Sequence, residues 1–79
     1  MNPNQVRIEL ETTPAIIGFD HQQIAMFYNR NHPQGATQDM NEATRFTGKK
    51  EREDGMNEVL KKYPQCDRKK LIFTYLLTN

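Results

Sequence analysis

The stretch Phe19-Asp20-His21-Gln22-Gln23-Ile24-Ala25-Met26-Phe27-Tyr28-Asn29-Arg30 decides the fold, because it reads as a helix whose start is marked. Asp20 suits an N-cap, Gln23 three residues on completes a capping box, and Phe19 ahead of the cap offers a hydrophobic staple. Ile24, Phe27 and Tyr28 then fall at i, i+3 and i+4 and form one apolar stripe over residues 21–30. Asn31-His32-Pro33 followed by Gly35 stops this helix.

Upstream of it, Val6, Ile8 and Leu10 alternate with Arg7, Glu9 and Glu11, which predicts a strand over residues 5–12. Pro14 and Gly18 mark residues 13–19 as a connection, with Ile16 and Ile17 plugging the core. Downstream, Thr37 caps a second helix of barely two turns that ends near Arg45 and has only Met40 and Ala43 as its apolar face. Thr47 starts a third helix, in which Met56, Val59, Leu60 and Tyr63 lie at i, i+3, i+4 and i+7. Residues 48–54 carry no apolar side chain, so the start of that helix projects into solvent. Gly55 costs its interior about 1 kcal/mol relative to alanine. Pro64 ends it, and residues 65–67 form a turn.

Residues 70–78 admit two readings. Alternation and dense β-branched and aromatic side chains suit a strand, whereas Asp67 would cap a fourth helix. The strand is favoured because the first strand needs a partner for its backbone. The expected fold class is therefore α+β with the order β-α-α-α-β: three helices on a small two-stranded sheet built from the N- and C-terminal strands, in one domain spanning residues 1–79.

Composition bounds the function. The chain has 79 residues, 28 of them apolar, and contains neither serine nor tryptophan, so there is no serine nucleophile. A chain of this size buries about 60–65 % of its surface, which leaves little apolar surface for a deep pocket and implies no small-molecule substrate. Cys66 is alone, and no Cys/His spacing suits a metal, so neither a disulfide nor a metal or other cofactor is expected. The longest apolar run, residues 71–77, is interrupted by Thr74 and is too short to span a bilayer. The first five residues lack the basic and apolar regions of an export signal. A cytoplasmic protein without a membrane partner is the expectation. Catalysis is not expected either. His21 reads as a first-turn helix residue, His32 as a loop residue, and Cys66 follows a helix C-terminus, where the dipole does not favour a thiolate. Gly48-Lys49-Lys50 lacks the rest of a phosphate-binding loop.

Charge is the informative part of the composition. The formal net charge of +1 conceals residues 1–44, with two basic and five acidic side chains, and residues 45–79, with nine basic and five acidic ones. A net of −3 against +4 suggests a surface that faces a polyanion.

The run Ala36-Thr37-Gln38-Asp39-Met40-Asn41-Glu42-Ala43-Thr44-Arg45-Phe46-Thr47 lies between Asn31-His32-Pro33-Gln34-Gly35 and the long amphipathic helix. In this layout it resembles the winged helix-turn-helix pattern, over about residues 21–63. Met40 and Phe46 match the two core positions, Ala43 the small close-packed position, and Thr47 the cap of the recognition helix. Only one strand can follow the third helix, so the wing is lacking. The resemblance implies a small, non-enzymatic, regulatory domain that binds duplex DNA with the start of that helix. Lys49, Lys50 and Arg52, with Arg45 just before them, would enter the groove, Thr47 and the first amides would meet a phosphate, and Arg68, Lys69 and Lys70 would grip the backbone. The alternative is a protein-interaction module, an accessory subunit or small inhibitor docking on a larger nucleoprotein complex; its support is the lack of a catalytic constellation and the one-sided acidic half. Exposed β edges also leave a second copy of the chain as a partner.

Overall fold

The computed structural model describes residues 11–77. The first of the expected helices is a hairpin. Pro14–His21 forms β1 and Ile24–Tyr28 forms β2, paired antiparallel with Gly18 opposite Phe27 and His21 opposite Ile24. The two connecting residues, Gln22 and Gln23, have φ of 53° and 68°. Positive φ at both central positions is the signature of a type I′ turn, whose twist matches that of the flanking strands. Neither residue is the asparagine or glycine that normally announces such a turn, which is why Asp20 and Gln23 imitate a capping box. The apolar pattern was equally two-sided. Ile24, Met26 and Tyr28 share one face of β2 by period two, and Phe27 lies on the other face.

β1 is the centre of a five-stranded antiparallel sheet. Ala36–Thr37 (β3) pairs with β2, and Phe46–Thr47 (β4) pairs with the start of β1. Ile72–Tyr75 (β5) pairs with β1 over Ala15–Gly18. Ala15 has both Phe46 and Tyr75 as partners, and Gly18 both Phe27 and Ile72. β5 therefore occupies one edge of β1, while β2 and β4 follow one another along the other. Pro14 is tolerated because it is the first residue of its strand, where its carbonyl accepts the Leu76 N–H at 2.8 Å.

This arrangement overturns the expected three helices on a two-stranded sheet. The stretch from Asp39 to Thr47, which carries the resemblance, holds a three-residue 3₁₀ turn, Met40–Glu42, and then β4, where a second helix was expected. Met40 is 41 % exposed and leaves too small an apolar face to hold a helix on the sheet. Residues 13–19, expected as a connection, are largely β1. The expected first strand lies outside the described residues except for Glu11 and Thr12, which are helical. Among the described residues β5 has β1 as its partner.

The third expected helix is present as Lys49–Lys62, named α1, and the chain leaves it at Tyr63 before Pro64. Its N-cap is Gly48, at φ 89°, and not Thr47. At the start of α1 Lys49, Lys50, Glu51, Glu53 and Asp54 are exposed as expected, and only Arg52 turns its side chain inward. Gly55 is buried, and a Cβ there would stand 2.7 Å from the Phe46 ring, so the absence of a side chain is what lets the helix lie on β4. Val59 and Tyr63 complete the face that packs on Ile17, Phe19, Tyr28, Ala36 and Phe46. The turn between β2 and β3 falls where Asn31-His32-Pro33 and Gly35 placed a stop; Gly35 sits there at φ 72°.

Candidate functional site

The eight residues expected to bind nucleic acid fall into two groups at opposite ends of α1, a 14-residue helix about 21 Å long at 1.5 Å per residue. At its start, Lys49 and Lys50 are exposed, as are Arg45 and Thr47 just before it. The helix end itself is already occupied by carboxylates. Glu11 Oε2 accepts the Lys49 N–H at 3.0 Å, and a Glu51 carboxylate oxygen accepts the Thr47 N–H. Arg52 donates to Glu11 Oε1 at 3.1 Å with its guanidinium 5.6 Å from the Tyr75 ring centroid, and its side chain is only 11 % exposed. The hydrogen bond from Lys49, followed by that from Arg52, holds the Glu11 carboxyl below the usual carboxylate range. A phosphate approaching here would meet Glu11, Glu51, Glu53 and Asp54 before it met free N–H groups.

The other end of α1 is organised differently. Asp67 caps a 3₁₀ turn, Arg68–Lys70, by accepting the Lys69 N–H at 2.9 Å on its side chain. That cap fixes three consecutive exposed cations in one turn. Arg68 also donates from Nη1 to the Asn57 side-chain oxygen at 3.1 Å. Asn57 lies one turn before Lys61 on the same face of α1, so Arg68 is laid against the part of the helix that ends in Lys61 and Lys62. Residues 61–70 thus hold five basic side chains and a single acid, Asp67, whose carboxylate is engaged in the cap. Among the described residues none of the five makes an ion pair. Lys61 and Lys62 were not singled out from sequence; their signal was the charge count of residues 61–70, hidden because the helix was read for its apolar stripe.

Next to this cluster, the tip of the β1–β2 hairpin and the chain after α1 enclose a cavity of about 300 Å³ with Lys70 on its rim. Its aromatic side is a contact of three rings: Tyr63 lies 5.1 Å from Phe19 and 5.2 Å from His21, centroid to centroid. His21 is therefore a strand residue packed on Tyr63, and Cys66 is a half-buried free thiol on the cavity wall. The Tyr63 hydroxyl is buried with no hydrogen-bond partner among the described residues, and burial pushes its pKa above the ordinary 10.0. His32 lies elsewhere, its Nδ1 accepting the Gln34 N–H in the β2–β3 turn. Among the described residues no group of three His, Cys, Asp or Glu side chains could hold a metal ion. No helix there is long and apolar enough to cross a membrane.

A scan of protein-family models finds no match to the chain, and neither curated proteins nor solved structures yield a significant one.

Proposed function

We propose that the protein is a small, non-enzymatic nucleic-acid-binding domain that engages phosphates with Lys61, Lys62, Arg68, Lys69 and Lys70. The observation that carries this reading is the charge of residues 61–70: five exposed cations against one acid that is already tied into a cap. The Asp67 cap and the Arg68–Asn57 bond hold part of the cluster in place, so less ordering remains to oppose binding. The contacts are to backbone phosphates and give affinity with strong salt dependence, without base specificity. The basic residues at the start of α1 contribute little, because Glu11 neutralises Arg52 and three acids, Glu51, Glu53 and Asp54, follow directly on Lys49 and Lys50.

Fluorescence anisotropy with a short labelled DNA duplex tests this. Affinity should fall at least about tenfold when Lys61, Lys62, Lys69 and Lys70 are all replaced by glutamine, and the log–log salt slope should lose about 0.9 per phosphate contact removed. Lys49→Gln with Lys50→Gln should leave both nearly unchanged. A wild-type protein that does not bind at low salt, or one that loses binding only with the Lys49/Lys50 pair, would defeat the proposal.

A further inference from the structure

Among the described residues no strand lies on the outer edge of β5. Leu76 donates its N–H to Pro14 across the β1–β5 pair, so by alternation Ile72, Thr74 and Leu76 turn their backbone groups towards β1. Phe73 and Tyr75, though opposite Ile17 and Ala15, therefore turn their backbone groups away from β1, and among the described residues no strand bonds to those groups. Residues 71–77 contain no charge and no proline, while Ile72 is 65 % and Leu77 77 % exposed.

We propose that this edge pairs with the same edge of a second copy, antiparallel about a twofold axis through Thr74. The register is set by the backbone. Phe73 stands opposite the partner's Tyr75, and each such pair exchanges two N–H···O=C bonds, giving four across the axis. The side chains complement one another in that register. Phe73 meets the partner's Tyr75 on the helix side of the sheet, Ile72 meets the partner's Leu76 on the far side, and Thr74 meets the partner's Thr74. No like charges oppose each other, because Lys69 and Lys70 lie beyond the paired segment. There is room for the approach, since among the described residues no element follows β5 in the sheet and α1 packs mainly over β4 and β1, reaching β5 through Arg52 on the Tyr75 ring.

A twofold axis of this kind is perpendicular to the sheet, so both copies of α1 lie on one face of a continuous ten-stranded sheet. The two Lys70 residues, each four positions from the axis, are then about 26 Å apart at 3.3 Å per residue. A duplex could contact both basic clusters at once. The pairing itself does not depend on nucleic acid.

Sedimentation velocity of the full chain from micromolar to about millimolar concentration tests the inference, with the dimer expected to accumulate across that range. Ile72→Lys changes an exposed side chain and should leave the monomer fold intact while removing the dimer. Thr74→Lys places two like charges face to face and should do the same. Amide exchange on the wild-type protein needs no variant: the Phe73 and Tyr75 amides should become protected as concentration rises. A chain that stays monomeric throughout, or a dimer that survives both substitutions with those two amides exchanging freely, would overturn the proposal. Loss of DNA binding with the dimer intact would instead count against the phosphate-binding reading alone.

Discussion

Gly55 shows how a single atom decides the packing of α1. Helix propensity alone says that Gly55→Ala should gain about 1 kcal/mol. The Phe46 ring lies where the new methyl would go, at 2.7 Å, and overpacking of that kind costs about 1–3 kcal/mol. The variant should therefore unfold at lower urea concentration than wild type, with an unchanged slope; a higher midpoint would mean that the helix does not lie on β4. The sequence shows the glycine and its helical position but not the ring facing it, because Phe46 is nine residues away on a two-residue strand. Tyr63 gives the converse case. Its buried hydroxyl has no partner among the described residues, so Tyr63→Phe should raise stability by about 1 kcal/mol. Burial also raises the pKa of Tyr63 and of Tyr28, the latter with a further contribution from Glu58. A raised acid pKa stabilises the fold fully below the unfolded value of about 10 and the effect is lost as pH rises through the folded value. Tyrosinate absorbance from these two rings should appear only with alkaline unfolding. Glu11 has the opposite sign. Its folded pKa is depressed, so its contribution is present above the unfolded value of 4.5 and disappears as pH falls through the folded one. Glu11→Gln should flatten the acid limb of the stability profile.

At the scale of elements, the hairpin tip separates the two readings of residues 19–30 by sign. In the type I′ turn, Gln22 and Gln23 both hold positive φ, a conformation that strains a side chain by about 1 kcal/mol or more. Gln22→Asn with Gln23→Gly relieves that strain and should stabilise the protein by about 1 kcal/mol in urea unfolding. In a helix the same glycine would destabilise it by a similar amount. Much of the rest was legible. The apolar spacing from Met56 to Tyr63 located α1, Pro64 located its end, and the dense β-branched and aromatic side chains near residue 72 marked a strand. What sequence reasoning could not resolve was period in a short run. Residues 24–28 have apolar side chains at every position, so spacings of two and of three to four are both satisfied, and only a recognisable turn would have chosen between them. The pairing of β1 with β4 and β5 joins residues about 30 and 60 positions apart, which local patterns do not encode.

At the scale of the molecule, the charge asymmetry between halves was readable but its location was not. Folding brings acid from one half against base from the other: Glu11 meets Arg52, and Arg30 meets Glu58 at 3.1 Å. The excess positive charge that remains is gathered at the end of α1, with the cavity of His21 and Tyr63 beside it. That relocation, from the start of the helix to its end, is the central claim, and an amide-resolved NMR titration of the full chain with a short DNA duplex at low salt tests it most directly. The account predicts shifts concentrated at Lys61, Lys62 and Arg68–Lys70, extending to His21, with Thr47–Arg52 unmoved. Shifts confined to Thr47–Arg52, or none anywhere on the chain, would contradict it.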